Sequence, residues 1–126
     1  MAGQVEITKR ISDFSLRPGP RLKEQGKHSG EEFYDTYLNK WFKDAKDTNA
    51  ILIVILDGTD GYLTSFIDEA FGRLVYFYGL DEVKKHLKII SELEPEWITR
   101  LTSKTYPSWE ERRVHGEAPK ITVSNS

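Results

Sequence analysis

Apolar and polar residues alternate from Val5 to Ile11, where Val5, Ile7 and Ile11 are separated by charged and hydroxyl side chains. This period of two predicts a strand with one wet face. Phe14 and Leu16 keep the same spacing and predict a short second strand. Arg17-Pro18-Gly19-Pro20 then breaks regular structure, because neither proline can donate to a ladder. The next pattern is helical. Ser29 has the chemistry of an N-cap, and Glu32, three residues on, completes a capping box. Tyr34, Tyr37, Leu38, Trp41 and Ala45 follow at spacings of three and four, which makes one apolar stripe.

Ala50-Ile51-Leu52-Ile53-Val54-Ile55-Leu56 is continuous and rich in β-branched residues. Such a run predicts a central strand covered on both faces, in a parallel or mixed sheet, with Ile53 and Ile55 almost fully buried. It stops at Asp57-Gly58-Thr59-Asp60-Gly61, a turn of Asp and Gly. A second helix is expected from Ser65 or just before it. Ser65 and Asp68 have capping-box spacing, and Ile67, Ala70, Phe71, Leu74, Val75 and Tyr78 form its buried stripe. Gly79 closes it in a left-handed conformation. A short helical turn at Asp81 to Lys85, a strand at Leu87 to Ile90 and a helix with Pro95 at its first position follow. Trp97, Ile98 and Leu101 should face inward. From Thr102 the pattern fades, and Pro107, Gly116 and Pro119 predict a loosely held tail with a little order at Ile121 to Val123. The reading is one layered α/β domain over 1–103 and a tail over 104–126.

Length and composition fit this picture. A chain of 126 residues, 38% hydrophobic, 30% charged and 12% aromatic, can bury a single core. It has no cysteine, which excludes a disulfide framework and a thiolate metal site and fits a cytoplasmic location. No signal peptide is visible over Met1 to Arg10, and the longest apolar run is far too short to cross a bilayer. With a net charge of −2 and no cationic block, nucleic acid is not the expected partner.

The chemistry concentrates in Asp57 to Leu74, which sets Asp57, Asp60, Ser65, Asp68 and Glu69 around a strand end and a helix start. Ligands and partners of open α/β sheets gather beyond the carboxyl ends of strands. One reading is a recognition surface on the loop and the exposed side of the helix, carried by Asp60, Tyr62, Asp68, Glu69, Arg73 and Tyr76, with Gly72 admitting a close backbone. Another is plain architecture, with Ser65 and Asp68 capping the helix and Glu69 pairing with Arg73 at i,i+4. A metal is not expected, since the Asp-x-x-Asp spacing lacks the acidic alternation of a calcium loop, and no cofactor is expected either. Arg21, Lys27 and the N–H groups near Ser29 are a candidate anion site. The histidines His28, His86 and His115 are scattered and read as surface residues. Of Tyr76, Phe77 and Tyr78, one ring should be exposed.

A family resemblance adds to this. Phe14, Pro18-Gly19-x-Arg21, Ser29-Gly30-Glu31-x-Phe33 and Gly61-Tyr62-x-x-Ser65-Phe66-x-Asp68-Glu69-Ala70-Phe71-Gly72-x-Leu74 resemble a STAS-like domain family of small bacterial proteins of largely unassigned function. The resemblance spans roughly Ile11 to Trp97. That family is similar to the STAS domains of anti-sigma factor antagonists, non-enzymatic α/β modules that bind histidine-kinase-like ATPases. The resemblance therefore implies a regulatory signalling module with such a partner. In the wider family a Phe-x-Asp-Ser-Ser-Gly element carries a phosphorylated serine. Phe66 and Asp68 match it, while Glu69 and Ala70 stand at the two serine positions. The phosphoacceptor is missing from its usual place, Glu69 puts a fixed charge there, and Ser65 is the nearby candidate hydroxyl. The alternative class is a small nucleotide-binding or metal-assisted hydrolytic enzyme that uses the acidic cluster. The oligomeric state is open.

Overall fold

The computed structural model describes residues 4–119. Three strands, β1 (Glu6–Arg10), β2 (Ile51–Ile55) and β3 (Leu87–Ile90), form one sheet in that order, parallel throughout. The fold is α/β with the isoleucine-rich strand at the centre, as its unbroken apolar run predicts. The second strand expected at Phe14 to Leu16 does not form. Ile11–Asp13 is instead a tight helical turn, and the Ile11 carbonyl takes the N–H groups of both Phe14 and Ser15. The chain thus curls away from the sheet edge.

Strand order decides which face of the sheet is covered. Crossovers between parallel strands are right-handed. Here both steps, β1 to β2 and β2 to β3, move in the same direction, so both place their helices on the same face. Leu52, Val54 and Leu56 point into that side and are 0%, 0% and 1% exposed. The alternate row is Ile51, Ile53 and Ile55. Ile53 is buried among its neighbours, but Ile51 and Ile55 are only half-buried. The expectation of two covered faces, with Ile55 almost fully buried, is corrected: the winding never reverses, so no helix among the described residues reaches the second face.

The first helical segment is α1 (Gly30–Phe33), a π turn at Tyr34–Leu38, and α2 (Asn39–Asp47). Ser29 caps it, its Oγ accepting from the Glu32 N–H at 3.0 Å, while the Glu32 carboxylate accepts from His28 rather than from Ser29. The π turn adds about one residue to its loop of helix and so rotates the stripe. Phe33, Tyr34, Leu38, Phe42 and Ala45 are buried, while Tyr37 moves to the surface and Trp41 is half-buried.

Two further helices, α3 (Thr64–Tyr78) and α4 (Leu80–His86), lead into β3. No side chain caps α3. Leu63 holds the N-cap position, so Ser65 is already inside the helix. Ile67, Ala70, Phe71, Leu74 and Val75 are fully buried, as their spacing predicts. Gly79 closes α3 with φ 88° and gives its N–H to Val75. His86 is not a surface residue: it is buried, with Nδ1 2.8 Å from the Ala50 carbonyl oxygen and Nε2 3.4 Å from Glu82.

The expected loose tail is also corrected. Pro95 caps α5 (Glu96–Arg100), and a π turn at Leu101–Thr105 continues into α6 (Tyr106–Val114). Pro107 follows directly on the π turn, and the helical run from Glu96 to Val114 continues through it. Trp109 anchors α6 at 1% exposure. It fits because residue 72 is glycine, where a Cβ would come 2.2 Å from the indole. Residues 104–114 are therefore part of the domain. Ile121 to Val123 lie outside the described residues. No helix among the described residues is long and apolar enough to cross a membrane.

Candidate functional site

Gly30 brings α1 against α3: a Cβ on it would lie 2.5 Å from the Phe66 carbonyl oxygen. This contact places Glu31 beside the charged face of α3. Arg73, 3% exposed, sits between two carboxylates. Its Nε donates to Glu69 Oε2 at 2.7 Å, and its Nη2 lies 3.8 Å from Glu31 Oε2. Arg21 closes the cluster from the segment before α1, donating from Nη1 to Asp68 at 2.7 Å and to Glu69 at 2.9 Å. The Trp109 indole adds a bond to Asp68 at 3.2 Å, and the Lys23 N–H donates to Glu31 at 2.9 Å. Partial burial pulls the Arg21 pKa down, and the hydrogen bonds and charges of Asp68 and Glu69 more than reverse this. Buried carboxylates require such partners. The network ties the N-terminal segment, α1, α3 and α6 together.

This arrangement revises the expected docking face. Glu69 and Arg73 are buried and cannot meet a partner. Their predicted i,i+4 pair exists, but in the interior. Asp68 is partly exposed yet committed to Arg21 and Trp109. Gly72 admits the chain's own Trp109 rather than another backbone. Tyr76 is half-buried, and Phe77, 51% exposed, is the outward ring of its run. The anion site fails as well. Arg21 is taken, Ser29 is buried on its cap bond, and the Gly30 and Glu31 N–H groups donate to the Pro20 and Arg21 carbonyls. Only Lys27 of that trio is exposed. Ser65 is partly exposed at the start of α3, and its hydroxyl forms no hydrogen bond among the described residues.

A second cluster forms where the strands end. Asp57 follows β2, and its carboxylate accepts from the Glu92 and Leu93 N–H groups, both at 2.9 Å. The Asp60 N–H donates to the Leu16 carbonyl, and Arg17 pairs with the Asp60 carboxylate at 3.0 Å. Tyr62 donates its hydroxyl to the Leu56 carbonyl and packs edge-on against Trp97. Burial pushes the Tyr62 phenol up to about 12. The loops after all three strands are thereby fastened to one another. Each presents one exposed leucine: Leu16 at 62%, Leu63 at 56% and Leu93 at 79%. Of the expected partner-binding residues, Asp60 and Tyr62 belong here. Leu16 enters the sequence pattern only as part of the strand that does not form, and Leu63 and Leu93 lie outside every stripe, each a large apolar side chain in a turn-prone segment.

The Asp57 clamp has a testable pH dependence. The Glu92 and Leu93 N–H groups hold its carboxyl below the usual range. A depressed folded-state value means that the stabilisation is complete above the ordinary carboxylate range and is lost as pH falls through the folded value. Protection of the Glu92 and Leu93 amides, corrected for intrinsic exchange, should hold at neutral pH and fall only in strong acid. Asp57→Ala should remove it at every pH. Unchanged protection in that variant would show that something else holds the loop.

The model of the family described as "STAS-like domain of unknown function (DUF4325)" matches residues 29–97. That segment runs from the Ser29 cap through β2, α3 and β3 to Trp97, and carries Glu31, Asp68, Glu69 and Arg73. Arg21 and Trp109, which complete the network, lie outside it. No curated protein and no solved structure matches the chain. With more than half its length matched, this chain belongs to the family of STAS-like domains of unknown function.

Proposed function

We propose that this chain is a non-enzymatic regulatory module that docks a protein partner on the loops at the carboxyl ends of its strands. The partner class suggested by the resemblance to anti-sigma factor antagonists is a histidine-kinase-like ATPase. The observation that carries the reading is the set of exposed leucines Leu16, Leu63 and Leu93, one on each strand-end loop. Single exposed apolar residues are ordinary. Three at one end of a sheet, on loops locked by Asp57 and Asp60, supply preorganised apolar anchors. The exposed Arg17–Asp60 pair adds polar contacts beside them. Glu69, at the serine position of the wider family, is enclosed by Arg21 and Arg73, so no phosphorylation switch operates there.

The geometry disfavours the enzymatic alternative. A hydrolytic site needs carboxylates converging on one point in a pocket. Asp57 is turned to backbone amides, Asp60 to Arg17, and Asp68 and Glu69 to arginines. Among the described residues no three metal-ligating side chains group together. The test is a pull-down from host lysate with the wild-type chain and with Leu63→Asp or Leu93→Asp. Leu93→Asp should keep its stability within about 0.5 kcal/mol, because the side chain is exposed; Leu63→Asp supplies α3 with a capping carboxylate and should be more stable by about 1 kcal/mol; both should lose the specific partner. A partner retained equally by both would remove the rim from consideration.

A further inference from the structure

We propose that the cavity between α4 and β3 on one side and the C-terminal helical run on the other binds a small organic acid with a compact apolar body. The cavity measures about 180 Å³. Its walls are Val83 of α4, Leu87 and Ile89 of β3, Ile98 of α5 and Leu101 of the π turn. An apolar space of roughly 150 Å³ takes a molecule the size of benzene, so this one holds a ring or a short branched chain and little more. The π turn shapes the helical wall. Tyr106 donates its N–H to the Leu101 carbonyl, five residues back. Turns of this kind inside helices are frequent at functional sites. Leu101, Thr102 and Tyr106, all at that turn, line the cavity, and none of the strand-end leucines does.

The polar groups of the lining set the class of ligand. Tyr106 is 8% exposed, and its hydroxyl forms no hydrogen bond among the described residues. A hydroxyl on so deeply buried a side chain ordinarily has a partner. Burial alone pushes this phenol up. Lys84 is exposed, lines the same cavity, and forms no ion pair among the described residues. Thr102 is the remaining polar residue, and its hydroxyl is committed to the Ile98 and Thr99 carbonyls at 3.0 and 3.2 Å. The lining thus offers a phenol O–H and an ammonium, and no carboxylate. A ligand carboxylate only accepts hydrogen bonds, which suits both groups. An amine would meet Lys84 as a like charge, and a plain hydrocarbon would leave the Tyr106 hydroxyl unpaired.

The experiment is titration of the full-length chain with benzoate and with cyclohexanecarboxylate, one flat ring and one puckered, followed by methyl NMR spectra. At least one acid should shift the Val83, Leu87, Ile89, Ile98 and Leu101 methyls saturably, with a dissociation constant below about 1 mM. The amide of that acid has the same shape without the charge and should bind about tenfold more weakly. Tyr106→Phe removes only the hydroxyl and should also weaken the acid about tenfold. Lys84→Gln should weaken it about threefold. Neither the phenol hydroxyl nor the ammonium bonds elsewhere among the described residues, so both variants should keep the fold, and circular dichroism verifies it. The proposal is overturned if neither acid shifts those methyls saturably, if the amide binds as tightly as its acid, or if Tyr106→Phe binds as the wild type does. Leu63→Asp, at the strand-end rim, should bind the acid unchanged, which separates failure of this proposal from failure of the docking reading.

Discussion

Arg73→Met should lower folding stability by about 3–5 kcal/mol, the usual consequence of removing one partner from a buried ion cluster. Methionine fills most of the volume, so the loss is not one of packing. It arises because Glu69 and Glu31, 3% and 1% exposed, then share an interior site from which their common cation has gone. Arg21 still reaches Glu69, but its other partner is Asp68 and it does not bond Glu31 in this arrangement. Urea unfolding should show a lower midpoint with an unchanged slope, the sign of altered stability rather than altered compactness. Arg73→Lys keeps the charge and loses the planar fork, so it should fall between the two. A methionine variant within 1 kcal/mol of wild type, on the order of an exposed substitution, would mean that the network is incidental to the fold.

Trp109→Ala should cost a similar amount, about 3–5 kcal/mol. It empties the space over Gly72 and breaks the indole bond to Asp68. The more discriminating measurement pairs it with Gly72→Ala. In the wild type the new methyl collides with the indole and should destabilise by about 1–3 kcal/mol. With Trp109 already alanine the collision is gone, and alanine in mid-helix is favoured over glycine by about 1 kcal/mol. Gly72→Ala should thus change sign between the two backgrounds, a coupling expected only for residues in contact. Equal effects in both would place Trp109 elsewhere.

Much of this fold is legible in the chain because local signals agree. The β2 run, the α3 stripe, the Gly79 stop and the Ser29 cap each rest on residues whose own chemistry sets the local backbone. The departures have a common character: each depends on contacts distant in sequence. The spacing sets Tyr37 and Trp41 in the stripe of the first helix, whereas the π turn at Tyr34–Leu38, which leaves no mark in the spacing, turns Phe33 and Phe42 inward instead. Among the described residues no helix covers the second face of β2, a consequence of strand order, which no single segment encodes. In the 104–114 segment Pro107 has the look of a breaker, yet the helix runs through it directly after a π turn, and Trp109 meets a glycine 37 positions earlier.

The site followed the same division. Asp68, Glu69, Arg73 and Gly72 stood out as residues left over from the apolar stripe, and a helix surface was the natural inference. They are interior because the segment bearing Arg21 and Glu31 covers one side of α3 and α6 the other. Of the exposed strand-end leucines, Leu16 enters the pattern only through a strand that does not form, and Leu63 and Leu93 sit in loops with no periodicity to mark them. The region beyond the carboxyl end of the central strand, where the sequence reading expects a partner, holds Asp60 and Tyr62 on the same linked loops as those leucines.

The central claim is that a protein partner docks on this rim. Its most direct test is calorimetric titration of a purified histidine-kinase-like ATPase from the same host with the wild-type chain and with Leu63→Asp. Saturable binding by the wild type, weakened about tenfold or more in the variant as for a central interface anchor, is the predicted result. Equal affinity for both chains, or no binding together with phosphoester turnover that depends on Asp60, would contradict it.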